Sequence, residues 1–366
     1  MFLYSRARFE EIARSVLDQA LDLGASGASV DVSEGSGLSV NVHRGKVSTI
    51  EQMGDKGLGV TLFVGQRRGS AMTSDFSGNA IADAVRAAFD IARFTGEDEC
   101  AGLPDPHMLE HAPRDLDLFH PWLIEPPEAV ALACEMEAAA FATSPRIANT
   151  DGVSVSVRHG HAIHANSLGF MGGYPFSWHS LSCSPIAKHG QSMQIDGWSS
   201  GARSADRLAR PDVLGRYAAE RALSRLGARK VASCKVPVLF EAPLALGFLS
   251  HFVQAASGGA LYRKTSFLVD ALGTEVFAPH IDIDEDPHRP GELGSAPFDD
   301  EGVATHARRL VDAGHLKGWF LSTYSARKLG LTTTGNAGGA HALRLSSRLT
   351  APQDDLVAML LSLIHI

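Results

Sequence analysis

Near the start of the chain, apolar residues recur at helical spacing. Phe9, Ile12, Ala13, Val16, Leu17, Ala20 and Leu21 share one face and Gly24 closes the run, which predicts an amphipathic helix. From Ala28 to Thr73 the period drops to two. Leu38, Val40 and Val42 alternate with polar residues, Arg44-Gly45 turns the chain, and Val47 to Met53 returns. Gly57 to Val64 and Arg68 to Thr73 read as a second hairpin around Gly65. A helix follows over residues 79–94, then a Pro-, Asp- and His-rich stretch over 97–126 that reads as a long surface connection.

Glu128 to Ala142 is helical in pattern, and residues 146–200 are again strand-rich, with Asp151-Gly152 as a hairpin turn. Leu208 to Leu226 predicts a helix, Val236 to Glu241 a buried strand, Ala242 to Ala256 an apolar helix, and Arg309 to Ser322 a hairpin about Asp312 to Gly314. Antiparallel blocks separated by helix pairs indicate an α+β fold rather than a doubly wound one. Three regions are expected: 1–125, a helix–hairpins–helix unit; 126–230, a central β-rich segment with helices; and 231–366, a C-terminal domain. Thr350 to Leu361 looks like the start of a further helix and then stops in an apolar Ser-Leu-Ile-His-Ile. The C-terminal domain is therefore expected to be incomplete, with residues 361–366 foreign to it.

The charge balance removes several function classes. Lys and Arg total 33 against 41 Asp and Glu, a formal charge of -8, and no dense basic stripe appears, so direct nucleic-acid binding is not expected. Arg67-Arg68 and Arg308-Arg309 read as solvated turn or strand-edge pairs. Cys100, Cys134, Cys183 and Cys234 lie far apart with no CxxC spacing, which disfavours a zinc ribbon or a disulfide framework. The N-terminus gains Arg and Glu at once and shows no signal-peptide core, and no stretch is apolar enough to span a bilayer, so a cytoplasmic location away from membranes is the expectation.

No P-loop, Rossmann turn or GxSxG elbow is present. Three polar clusters invite chemistry. In HGHAIH, alternation puts His159 and His161 on one face of a strand and His164 on the other, so one ion cannot take all three; a solvated strand face is the plainer reading. Asp282, Asp284, Glu285, Asp286 and His288 lack the glycine and glutamate of a calcium loop and read as a solvated acidic loop. Asp299, Asp300 and Glu301 offer a carboxylate pair for acid–base work, though no metal or nucleophile stands beside them in the sequence.

From His251 to Gly339 a series of short words appears in order. They are His251 followed by Ser257-Gly258-Gly259; Tyr262 to Leu268 (YRKTSFL); Glu285 to His288 (EDPH); Pro297 to Gly302 (PFDDEG); Tyr324 to Gly330 (YSARKLG); and Thr334 to Gly339 (TGNAGG). In this order and spacing, and with the helix–hairpins–helix layout upstream, the chain resembles the PmbA (TldE) branch of the TldD/PmbA family over essentially its whole length.

The resemblance implies a two-domain TldD/PmbA-like fold and a share in a metallopeptidase. TldD subunits of the family carry a His-Glu-x-x-x-His helix, plus a cysteine near the C-terminus. Two such histidines hold zinc and the glutamate activates the metal-bound water. Here the equivalent helix reads His251-Phe252-Val253-Gln254-Ala255-Ala256. The glutamate is Phe252, and the second histidine falls on Ala255 or Ala256. A phenylalanine is no general base, and one histidine alone does not retain zinc. The resemblance therefore implies no catalytic residue, metal or other cofactor in this chain, with zinc in a TldD-type partner of a cytoplasmic heterodimer. It also implies unfolded peptide substrates, roles in peptide-antibiotic maturation and antitoxin degradation, and a link to DNA gyrase.

Gly258, Gly259, Gly338 and Gly339 fit either a close backbone approach at a substrate cleft or subunit interface, or plain tight turns. Arg263, Lys264, Arg327 and Lys328 suit peptide carboxylates or plain surface, and Asp299 and Glu301 belong to the same candidate cleft. Two rivals stay open: an autonomous peptidase using Asp299, Glu301 and His251, and a protein-binding module without proteolysis.

Overall fold

A computed structural model describes residues 2–349 except 237 and 239. The expected elements at 350–366 lie outside the described residues. The chain runs α1 (Arg6–Asp22), β1 (Gly27–His43), β2 (Lys46–Val64), β3 (Arg67–Thr73), α2 (Gly78–Phe94), α3 (Pro126–Thr143), β4 (Ile147–Asn166), β5 (Met171–His189), β6 (Ser192–Ile195), β7 (Trp198–Ala202) and α4 (Pro211–Ser224). It continues with α5 (Ala242–Ala255), α6 (Gly258–Tyr262), β8 (Ile281–Glu285), β9 (Arg308–Asp312), β10 (His315–Leu316), α7 (Thr323–Lys328) and β11 (Leu343–Ser347). No helix among the described residues is long and apolar enough to cross a membrane.

The α+β expectation holds, with antiparallel pairing throughout both sheets. One sheet has seven strands in the order β3-β2-β1-β4-β5-β6, with β7 also on β5, so it crosses the boundary expected at residue 125. Even-numbered positions of β1 supply the cores. Val30 and Val32 pack under α1 and α2, while Leu38, Val40 and Val42 pack under α3 and α4. Both helix pairs therefore cover the same face, and the odd positions Asp31, Ser33, Gly35, Gly37, Ser39 and Asn41 form the other. The smaller sheet, β10-β9-β8-β11, belongs to a C-terminal module whose core gathers Phe252, Ile283, Leu310 and Phe320.

Several local expectations change. The two N-terminal hairpins share one long strand, β2, paired to β1 along its whole length and to β3 over Leu58–Val64. Asp151-Gly152 is not a hairpin turn but sits inside β4, at a register shift between Thr150 and Val153. The 97–126 connection is not all surface, because Leu109 and Leu116 are buried where it runs beside the C-terminal module and Leu118 where it reaches β5. Val236, Val238 and Phe240 form no strand and are exposed, since no partner strand lies beside them among the described residues.

The polar runs also change. His161 is buried and meets Glu34 at 2.7 Å, and His159 accepts the Trp122 N–H at 3.1 Å, so that strand face is not solvated. Asp282, Asp284 and Glu285 of the acidic run belong to strand β8 rather than a loop, and only Asp286 and His288 lie in the turn after it; Glu285 is buried against Arg308 at 2.7 Å, and Asp284 meets Arg309 at 2.8 Å. Arg308 and Arg309 are accordingly strand residues: Arg309 stays exposed beside Asp284, while Arg308 is half-buried against Glu285 and is not a solvated turn residue.

Candidate functional site

A cleft of about 570 Å³ opens between the uncovered face of the large sheet and the C-terminal module. Strand alternation puts Asp31 of β1 and His164 of β4 side by side on that face, with Nδ1 of His164 at 2.7 Å from Asp31 Oδ1. Asp300, Glu301 and Tyr324 line the opposite wall. Loss of hydration, and then the neighbouring Asp31 carboxylate, hold Asp300 above its ordinary value even though the residue as a whole is exposed. At the rim, Asp98 accepts from Tyr324 Oη at 2.7 Å and pairs with Lys328 Nζ at 2.8 Å, which hold its carboxyl down at about 2.

Behind this wall Asp299 organises two loops. Its Oδ1 accepts from the N–H groups of Glu301 and Val303, and Oδ2 from Ala337, each at 2.9 Å. Burial pushes its carboxyl up to about 7, against the pull of those N–H donors. Glu301 is used in turn as an acceptor for the Thr323 N–H at the start of α7 (2.8 Å). Gly338 lies against the Asp300 carboxylate with φ +92, a position where a side chain has neither space nor an easy backbone. Asn336 links the same loop to the buried pair, donating to Glu285 at 2.9 Å and accepting from Arg308 at 2.7 Å.

The other predicted residues are not brought into this cleft. His251 is exposed near the end of α5, whereas Phe252 is 5% exposed and packs edge-on against Phe277 and Phe320. Ala255 is half-buried and Ala256 fully buried. Gly258 seats α6 against Ser325 of α7, a packing contact within the module, while Gly259 faces Arg263. Arg263 and Lys264 are exposed, with Arg263 over the Tyr262 ring. Arg327 donates to Leu103 O at 2.7 Å, so with Lys328 it ties the module to the 98–105 loop.

Models of the PmbA/TldA metallopeptidase domains match residues 28–92 (domain 1), 119–226 (central) and 233–364 (C-terminal). The chain is 41% identical over 345 residues to Metalloprotease PmbA of Escherichia coli O157:H7, covering 92% of this chain and 77% of that protein. The chain belongs to the PmbA/TldD family, in its PmbA (TldE) branch. A PmbA homologue of Haemophilus influenzae is 38% identical over 348 residues, 94% of this chain and 77% of the homologue. In structure the chain is similar to a candidate modulator of DNA gyrase from Bacteroides thetaiotaomicron, with TM-score 0.87 and 26% identity over 92% of this chain and 77% of that one. TldE of Thermococcus kodakarensis shares the fold, with TM-score 0.75 at 19% identity over 96% of this chain and 79% of that one.

The donor set of α5 does not fit the metal that the family resemblance implies for such a helix. His251 offers one ring on the outside, Phe252 and Ala256 offer no donor atom, and among the described residues no group of three His, Cys, Asp or Glu is placed to hold an ion. Among the described residues the carboxylates of Asp299 and Glu301 accept from backbone N–H groups, and neither is hydrogen-bonded to His251. The Asp31–His164 pair is not legible as a unit in the sequence, because only the β1–β4 register brings the two together. Its signal was the odd one out in HGHAIH, together with an aspartate at an inward–outward alternation point of β1.

Proposed function

We propose that this chain is the PmbA/TldE-like subunit of a TldD/TldE-type metallopeptidase complex and does not itself perform hydrolysis. It works in the cytoplasm as a heterodimer with a TldD-type subunit that carries the zinc. Its substrates are unfolded peptides, as in peptide-antibiotic maturation or antitoxin degradation. One observation carries the reading: the position that needs a general base is Phe252, committed to an aromatic core with Phe277 and Phe320. A glutamate there would bury a charge without a partner, so the helix is built for packing rather than for water activation.

The test uses reduced, carboxymethylated α-lactalbumin as an unfolded substrate. The chain is assayed alone, with a TldD-type subunit, and with that subunit's metal histidines replaced. Cleavage only with the intact partner, lost to chelator and restored by zinc, is the expected result. Cleavage by this chain alone overturns the proposal in favour of an autonomous site. No cleavage in any mixture overturns it in favour of a binding role, such as the gyrase contact that the name of the Bacteroides structure suggests.

A further inference from the structure

Strand β2 is longer than its outer neighbour. It pairs with β1 from end to end, but β3 covers it only from Leu58 to Val64, leaving Lys46 to Gly57 as a free edge. The Val64↔Arg67 pair closes a two-residue turn, so those two residues exchange hydrogen bonds, and bonding towards β3 then recurs at every even position of β2. No register shift interrupts the strand between Ile50 and Val64. The outward N–H and C=O groups of the free stretch are therefore those of Ile50, Gln52, Gly54 and Lys56, and no backbone partner for them exists among the described residues.

The glycines of this stretch point the same way. Gly35 and Gly37 on β1 are explained from within, since Asp55 and Met53 lie across them. Gly54 has nothing within 4 Å of where a side chain would begin. A glycine inside a strand weakens it, and its common justification is the close approach of something else. Beside Gly54, on the helix-bearing face between the two helix pairs, lies a depression of about 390 Å³ walled by Phe2, Leu3, Glu34, Ser36 and Lys56. Glu34 is already engaged there by the Leu3 and Tyr4 N–H groups and by His161, which leaves the Phe2 and Leu3 side chains as its apolar wall.

We infer that the free edge of β2 binds an extended peptide by strand addition, with the peptide residue opposite Gly54 placing an apolar side chain in the depression beside Phe2 and Leu3. Residues directly opposite across a ladder share a face, so the side chain opposite Gly54 enters the space that Gly54 leaves open. Main-chain bonds at Ile50, Gln52, Gly54 and Lys56 give affinity without regard to sequence, and the depression adds one apolar preference. The inference rests on the peptide-handling reading above for the source of the strand, not for the edge itself.

The probe is fluorescein-labelled, reduced and carboxymethylated α-lactalbumin, followed by anisotropy with the full chain. Gln52→Pro removes an outward N–H without touching the β1 ladder, and is expected to weaken binding by about tenfold or more. Gly54→Trp fills the depression and keeps the backbone, so it tests the site if the proline variant fails to fold; it too is expected to weaken binding by about tenfold. Wild-type binding by both folded variants, or no binding by the wild type, overturns the inference. So does sedimentation showing that the wild type self-associates through this edge and that Gln52→Pro makes it monomeric. Edge-dependent binding without cleavage in any mixture with a TldD-type subunit supports the edge and sinks the subunit reading. Partner-dependent cleavage with edge-independent binding does the reverse.

Discussion

The large sheet and the C-terminal module are held together by different physics. In the sheet, alternate residues of long strands bury Val, Leu and Ile under helices, and polar side chains stay mostly on the other face. In the module the strands are short, and buried charge does much of the joining. Glu285 ends β8 with Arg308, Asn336 and the His341 N–H all pointing at its carboxylate, while Asp299 pins two loops through three N–H groups. A hydrophobic sheet tolerates repacking, because apolar contacts are non-directional. A buried carboxylate does not, because each donor aimed at it becomes an unpaired polar group when it goes.

The sharpest break of that contrast is Glu285→Ala. Removing one member of a buried pair leaves Arg308 without a counter-charge and two further donors unmatched, a loss expected at about 3–5 kcal/mol. Urea denaturation followed by tryptophan fluorescence is suited to this, because Trp319 lies in the module core. A loss under about 1 kcal/mol, the range of exposed ion pairs, would show that the network is ornamental. Next comes Asp299→Asn, which changes one atom. The amide oxygen still accepts from Glu301 and Val303, but an NH₂ group now faces the Ala337 N–H. We expect a melting-temperature drop equivalent to about 1–3 kcal/mol, with hydrogen exchange at residues 335–339 accelerated ahead of the large sheet. Unchanged exchange there would disconnect Asp299 from the loop.

The same contrast explains what could be read from the sequence. Helices α1, α2, α3 and α5 and the strands β1, β3 and β4 follow from apolar periodicity, which is a local property. The IDIDE run of β8 did not, because its burial depends on Arg308, Arg309 and Arg348, which arrive from other elements. Asp151-Gly152 looked like a turn because the pair usually makes one, yet here a bulge in a long strand uses the same freedom at φ +140. At the cleft, Asp299, Asp300, Glu301 and the Gly338 loop are recognisable as words, but His164, which faces Asp300 and Glu301 across the cleft, stands on β4 of the large sheet. Strand alternation separated His164 from its neighbours in HGHAIH; only the pairing of β1 with β4 supplies Asp31.

The smallest effect asks whether the sheet half is as free of polar control as it looks. His159 and His179 lie with ring centroids 5.4 Å apart, beneath the 118–122 segment. Trp122 N–H donates to Nε2 of His159, so that nitrogen must be unprotonated, while Nε2 of His179 donates to His120 O at 2.9 Å. Burial, and then the neighbouring His179, hold His159 down at about 4 against an ordinary 6.5. A depressed folded-state value means that the unfolded chain takes up the proton first, so stability is full above about 6.5 and declines as pH falls towards 4. Allowing for partial exposure, the loss assigned to His159 is on the order of 1–2 kcal/mol. His159→Gln keeps an acceptor for Trp122 but cannot titrate. Thermal melts from pH 7 to 4.5 should then fall less steeply for the variant than for the wild type, and parallel curves would remove His159 from the acid response. A flattened curve would mean that one seam of the hydrophobic half, where the 118–122 segment meets the sheet, is set by the same unforgiving polar geometry as the module.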